Sequence, residues 1–265
     1  MANLLVVDFD YFFVNPLEGG LYRQDPNFLL YDWGHRESSL FRTEIWPSRA
    51  ACFLANKLAL PGVDIPTGWW DRFNISAEAV CTVSDSNAFS GVMELDADAY
   101  EHVWLFDAHH DLYGVENLAQ AQGLYSRGLM SCENWMFFHF LRGSKLHWRW
   151  PQWHQWASDM ADDIPDFVDC DAQRDNMDHI DDIQFDAVSI CRSGCWVPSW
   201  CDGDFETFVL NCPANEIIEV EADAMAARDW FSATRATLLS FQGYLDSVGT
   251  SLEEALALLD SHRGP

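Results

Sequence analysis

Four ionisable side chains fall within five positions at Asp107-Ala108-His109-His110-Asp111, directly after the apolar run Val103 to Phe106. In a turn leaving a strand, the first, third and fifth residues can converge on one point. Two carboxylates and an imidazole suit a hard or borderline divalent ion, and a further carboxylate can bridge to a second ion. Buried charges need partners, so a metal is the simplest account of this cluster. Polar residues that merely cap the following helix are the alternative. Asp8-Phe9-Asp10 follows the run Leu4 to Val7 in the same manner. Carboxylates at i and i+2 point the same way from an extended strand, so Asp8 and Asp10 can contribute ligands to one centre. Standing alone, they read equally well as turn residues ahead of Asn15-Pro16.

These motifs need elements to carry them. Leu4–Val7, Val103–Phe106 and Ala187–Cys191 have the pattern of buried strands, with Ala79–Val83 a weaker fourth. Helical stretches lie between and after them, at Pro47–Leu58, Asn117–Gly128, Glu133–Leu141, from Ala222 to about Gln242, and Ser251–His262. Ser251 with Glu254 forms a capping box for the last. Strands alternating with helices predict a three-layer α/β/α fold with a largely parallel sheet. Ligands in such folds sit beyond the C-terminal strand ends, where both acidic motifs fall. Arg192 and Ser193, just after the third strand, are then candidates for a pocket wall, with Arg192 available to a substrate carboxylate. Glu133, Asn134 and Trp135 fall at the rim of the site or, equally well, at the start of a helix.

The expectation is a single domain over 1–265. His147–Trp156 packs four Trp and two His into ten residues, and Asp159–Asp186 carries eleven Asp. Together, about 147–186, they read as an insertion or lid; the acidic run also reads as a solvated face.

Composition narrows the function classes. The chain has 265 residues, 49% of them hydrophobic, and 13 Trp with 18 Phe, enough for a sizeable core. Against 42 Asp and Glu stand only 15 Lys and Arg, a formal charge of −27. Such a surface disfavours nucleic acid and attracts cations. Eight Cys occur, but Cys191, Cys195 and Cys201 lack the paired spacing of a structural zinc site. The N-terminal stretch lacks a basic n-region, and no apolar run approaches the ~18 residues of a membrane helix. Reduced thiols in a cytoplasmic protein, with no membrane partner, are the expectation.

The DAHHD stretch is similar to the DAHxD metal motif of the arginase and agmatinase (ureohydrolase) superfamily. Asp8-Phe9-Asp10 with Asn15-Pro16 resembles that family's second, S-F-D-x-D-x-x-D-P motif. The order is reversed here, as in a circular permutation, and Ser189-Ile190-Cys191-Arg192-Ser193 lacks carboxylates where the second motif would otherwise stand. The arginase-like branch that includes peptide arginases is the closest match. The resemblance implies two ions, Mn²⁺ or another divalent metal, held by Asp8, Asp10, Asp107, His109 and Asp111. His35 stands in for the family's further histidine, ahead of His102 and His110. It also implies hydrolysis of a linear C–N bond by a hydroxide bridging the ions, with His110 or Glu133 moving the proton. A guanidino group, free or within a cationic peptide, is the implied substrate.

Two other readings compete. Val6-Val7-Asp8-Phe9-Asp10 also matches the first motif of haloacid-dehalogenase-type phosphatases. There Asp8 would be the nucleophile, Asp10 the general acid and Mg²⁺ the cofactor, with Lys145 and Asp202 or Asp204 in the remaining roles. A non-catalytic, metal-stabilised binding protein gripping a partner through its tryptophans is the third.

Overall fold

Leu4, Leu5, Val6 and Val7 are all fully buried, the pattern of a strand covered on both faces. They belong to β1 (Asn3–Asp8), which pairs in parallel with β3 (His102–Phe106) on one side and β6 (Ile180–Cys191) on the other. With β2 (Phe73–Ser84), β4 (Lys145–Trp150), β5 (Cys170–Arg174) and β7 (Glu216–Glu219), the strands form one seven-stranded sheet of order β5-β4-β3-β1-β6-β2-β7. Every pairing is parallel. This computed structural model describes residues 2–14, 37, 40–90, 100–155, 157–221 and 223–262.

The register sets the site. Val7 lies opposite Phe106 and Asp8 opposite Cys191, so the residues leaving β1, β3 and β6 emerge together. From β1 the chain runs to β2 on one side of the sheet and then crosses to β3 on the other. In open α/β sheets ligands bind beyond the strand ends at such a reversal.

Alternation along the strands splits the core between two faces. Leu4, Val6, Val103, Leu105, Leu146 and Trp148 pack with residues of α2 (Leu118–Ser126), α3 (Met136–Leu141) and α4 (Ala157–Ala161). Phe106 faces the other way, into an aromatic layer with Trp69 and Phe73. That layer continues through Phe12 and Phe9 to Phe208 and Phe205 of α5 (Asp202–Leu210), with ring centroids 4.9 Å apart for Phe12–Phe208 and 5.1 Å for Phe9–Phe205. Each buried ring contributes about 1.5–3 kcal/mol by burial and about 0.5–1.5 kcal/mol more in such edge contacts. The result is the expected three-layer α/β/α arrangement.

Where the sequence suggests one domain, the chain divides into two compact units: Met1–Val14, Asp64–Ser193 and Asp204–Met225, and Asn15–Val63, Gly194–Gly203 and Ala226–Pro265. The second has its own core, formed by α1 (Trp46–Ala55), α6 (Trp230–Ser240), α7 (Gln242–Val248) and α8 (Leu252–Ser261) around Ala51, Leu54, Leu238, Leu245, Ala255 and Leu259. The Ser251–Glu254 capping box starts α8.

Two local expectations are corrected. Residues 147–186 are no insertion: they supply most of β4, all of β5 and the first half of β6. Trp148 is fully buried and Trp150 nearly so, aromatic side chains filling a core strand where aliphatic ones are usual. Asp171 on the edge strand β5 is tolerated because Arg149 (2.6 Å) and His147 (3.1 Å) hold its carboxylate. The helix expected from Ala222 begins only at Trp230, with Asp229 as its N-cap accepting the Ser232 N–H. None of the eight cysteines is joined in a disulfide. No helix among the described residues is long and apolar enough to cross a membrane.

Candidate metal centre

β1 ends in Asp8, whose Oδ1 accepts the Asp10 N–H (3.0 Å) and so caps the short 3-10 turn Phe9–Phe12. This local bond turns the chain at once and carries Asp10 over the strand end. The turn is anchored through its next residue: the Tyr11 hydroxyl donates to Asp175 (2.5 Å), itself paired with Arg72 (2.6 Å). Trp153 donates its indole N–H to the Tyr11 carbonyl (2.9 Å). Asp107, the first residue after β3, repeats the device, its Oδ1 accepting the His109 N–H (2.8 Å). The Ala108 N–H reaches Asp10 Oδ1 (3.3 Å), tying the two loops together. Asp111 closes the second loop at φ +50°, a left-handed conformation that Asp tolerates better than most side chains.

The side chains then converge. Asp10, Asp107 and His109 each present a ligand atom, all within 4.8 Å of one another. His109 Nδ1 lies 3.1 Å from Asp10 Oδ2 and 3.5 Å from Asp107 Oδ1. Asn87, in the 3-10 turn after β2, places its Nδ2 2.6 Å from Asp8 Oδ2 and 3.1 Å from both Asp107 Oδ2 and Asp111 Oδ2. Trp135 donates its indole N–H to Asp111 Oδ2 at 2.5 Å. Asp8, Asp10, Asp107 and Asp111 are only 1–6% exposed, while the His109 side chain is 37% exposed and is the open edge of the cluster.

Four buried carboxylates with one imidazole cannot all ionise at ordinary cost. Burial, then repulsion from neighbouring aspartates, pushes Asp8 and Asp107 well above the carboxylate range. Burial raises Asp111 to about 7 despite the opposing pull of His109 and Trp135. Burial alone would raise Asp10 too, but its pairing with His109 wins and holds it low. The same pairing overcomes the desolvation of His109 and lifts its imidazole well above the usual value. The cluster therefore holds protons where cations would relieve it, and its oxygen-rich donor set with one imidazole fits a hard or borderline divalent ion.

The structure thus brings together Asp8, Asp10, Asp107, His109 and Asp111 from the predicted set. His35 lies outside the described residues. The His110 ring turns away into the core against Tyr113 and Trp148; its Nδ1 accepts the Leu112 N–H (3.0 Å) and its Nε2 is buried without a partner. Desolvation lowers it to about 3, so it stays neutral and is poorly placed to move a proton. Glu133 is exposed, its carbonyl accepting the Tyr113 N–H, and Asn134 Oδ1 accepts the Ser131 N–H. Among the described residues, neither side chain bonds to the carboxylates. Arg192 is committed to an ion pair with Asp85 (2.5 Å), whereas Ser193 is near enough to Asp8 to exert a small lowering pull on its carboxyl. Lys145 starts β4, in register with His102 and therefore at the opposite strand ends from Asp8, where it cannot serve a phosphatase site at Asp8.

Sequence reasoning missed Asn87 and Ser90, whose hydroxyl donates to Asn87 Oδ1 (3.0 Å), whereas Trp135 was within the stretch expected at the rim. One signal existed: Asn87 follows the end of a predicted strand, as Asp8 and Asp107 do. No protein-family model matches the chain, and no curated protein or solved structure does either.

Proposed function

We propose that this protein is a binuclear metal-dependent hydrolase of linear C–N bonds, acting on a guanidino group, free or within a peptide. The observation that supports it is the convergence of Asp10, Asp107 and His109 with Asp8 and Asp111 beyond the C-terminal ends of β1 and β3. The guanidino substrate rests on the likeness of the two acidic motifs to those of ureohydrolases.

Divalent cations bound here would lower the pKa of a coordinated water and make it a nucleophile at neutral pH. The chain supplies the rest. Asp10 and His109 hold one side of the centre and Asp8 and Asp111 the other. The chain's formal charge of −27 favours a cationic guanidinium over a neutral amide by potential. Hydrolysis breaks the bond between the guanidinium carbon and the substituted nitrogen, releasing urea and an amine that must gain a proton. Glu133, exposed in the loop that pairs with Tyr113, carries that proton in this reading, because the buried His110 is unsuited to it.

The test is metal content by elemental analysis of wild type, Asp107→Ala and Asp8→Ala, followed by assay of arginine, agmatine and arginine-containing peptides for urea. Metal near two Mn²⁺ per chain, lost in both variants, together with urea release, supports the reading. Metal that survives Asp8→Ala but not Asp107→Ala breaks the two-motif centre. Bound metal with no turnover favours the binding-protein alternative.

A further inference from the structure

The Asn87 side chain lies among three carboxylates. Its amide nitrogen touches one oxygen from each of three aspartates, Asp8, Asp107 and Asp111, at 2.6–3.1 Å. A primary amide has only two N–H protons for these three acceptors. Asp107 divides its oxygens: Oδ1 faces His109 (3.5 Å) and Oδ2 faces Asn87 (3.1 Å). It is thus disposed as a bridge between two positions, one beside Asp10 and His109, the other between Asp8, Asp111 and the Asn87 amide.

We propose that Asn87 is a ligand of the second position, through its side-chain oxygen, and sets that position's preference for a hard cation. The inference rests on the metal-centre reading above. Turning the amide about its terminal torsion exchanges nitrogen for oxygen at the same place. The three carboxylate oxygens and the amide oxygen then make an all-oxygen set, while the first position keeps an imidazole. Hard divalent ions such as Mg²⁺ and Mn²⁺ favour the former, and borderline ions such as Zn²⁺ are drawn to the latter. Ser90 serves both orientations. Its hydroxyl is fully buried and donates to Asn87 Oδ1; a hydroxyl can equally accept from the turned N–H. The amide is therefore a neutral placeholder that spares the three aspartates full repulsion and becomes a ligand when the ion enters.

Titration of the purified full chain with Mn²⁺ alone, read by the loss of the free-ion electron paramagnetic signal, tests this. Wild type is expected to take up two ions. Asn87→Leu should lose the second or weaken it by at least about tenfold while the first is kept. Asn87→Asp, which restores an oxygen donor, should bind the second at least as tightly as wild type, and this variant decides the case if Asn87→Leu does not fold. Unchanged uptake in Asn87→Leu, or weaker second-site binding in Asn87→Asp, overturns the role of Asn87 while leaving the centre standing. No uptake by wild type overturns the metal reading itself and this inference with it.

Discussion

The indole N–H of Trp135 donates to Oδ2 of Asp111 at 2.5 Å, the same oxygen that the Asn87 amide approaches. Trp135 is fully buried and is shared between the helix-covered core and the carboxylate cluster. One side chain thereby couples packing to the charge state of a candidate ligand.

Trp135→Phe should therefore act twice. Losing a donor to a buried carboxylate costs about 1–3 kcal/mol, and the smaller ring adds a cavity cost, so the urea midpoint falls. Volume loss alone predicts only that. Loss of the hydrogen bond also removes an interaction that lowers the Asp111 carboxyl, so the pH midpoint for Mn²⁺ uptake should move upward. A fall in stability with an unchanged midpoint would show that the indole N–H does not act on Asp111.

A pH dependence follows from the raised carboxyls. Asp111 is near 7 in the folded chain against 3.8 as its ordinary value, and Asp8 and Asp107 are shifted in the same direction. A raised folded value contributes stability in full below the ordinary carboxylate range and loses it as pH rises through the folded value. Asp10, shifted down, works the opposite way and only in acid. Buried His110 and His139, lowered to about 3 and about 4 by desolvation, add stability as pH rises through the same window. The carboxyls are therefore read from the gain in melting temperature when Mn²⁺ is added to chelated protein, which should grow between about pH 4 and about pH 7. Metal addition to a weakly buffered sample near pH 6 should release protons, more than at about pH 8. A gain on adding Mn²⁺ that is flat across this window would contradict the assignment.

Arg228 gathers the second unit's loops. Its guanidinium meets Asp202 at 2.6 Å and the carbonyls of Arg42 (3.1 Å), Gly194 (2.6 Å) and Val197 (3.1 Å). Asp202 is buried, so Arg228→Met, which removes its guanidinium partner, should cost about 3–5 kcal/mol in denaturant unfolding. A cost below about 1 kcal/mol would place the pair among solvent-screened surface bridges.

Much of this was legible in the residues. Leu4–Val7 and Val103–Phe106 are apolar on both faces, which only a covered parallel strand explains, and each runs straight into an aspartate. Local pattern therefore determined the α/β class, the central strands, the Ser251 cap and five residues of the centre. The Trp-rich and Asp-rich stretches misled, because edge strand β5 carries charge that Arg149 and His147 neutralise from the neighbouring strand, a compensation no single segment displays. His110 looked like part of the motif, but the left-handed turn at Asp111 and the Leu112 N–H send its ring into the core. Asn87 and Trp135 belong to the site only because the strand order lays the end of β2 beside β6 and packs α3 against β3 and β4. Sequence determines which side chains follow each strand; which strand ends meet depends on long-range pairing, and so only the tertiary structure decided who faces whom.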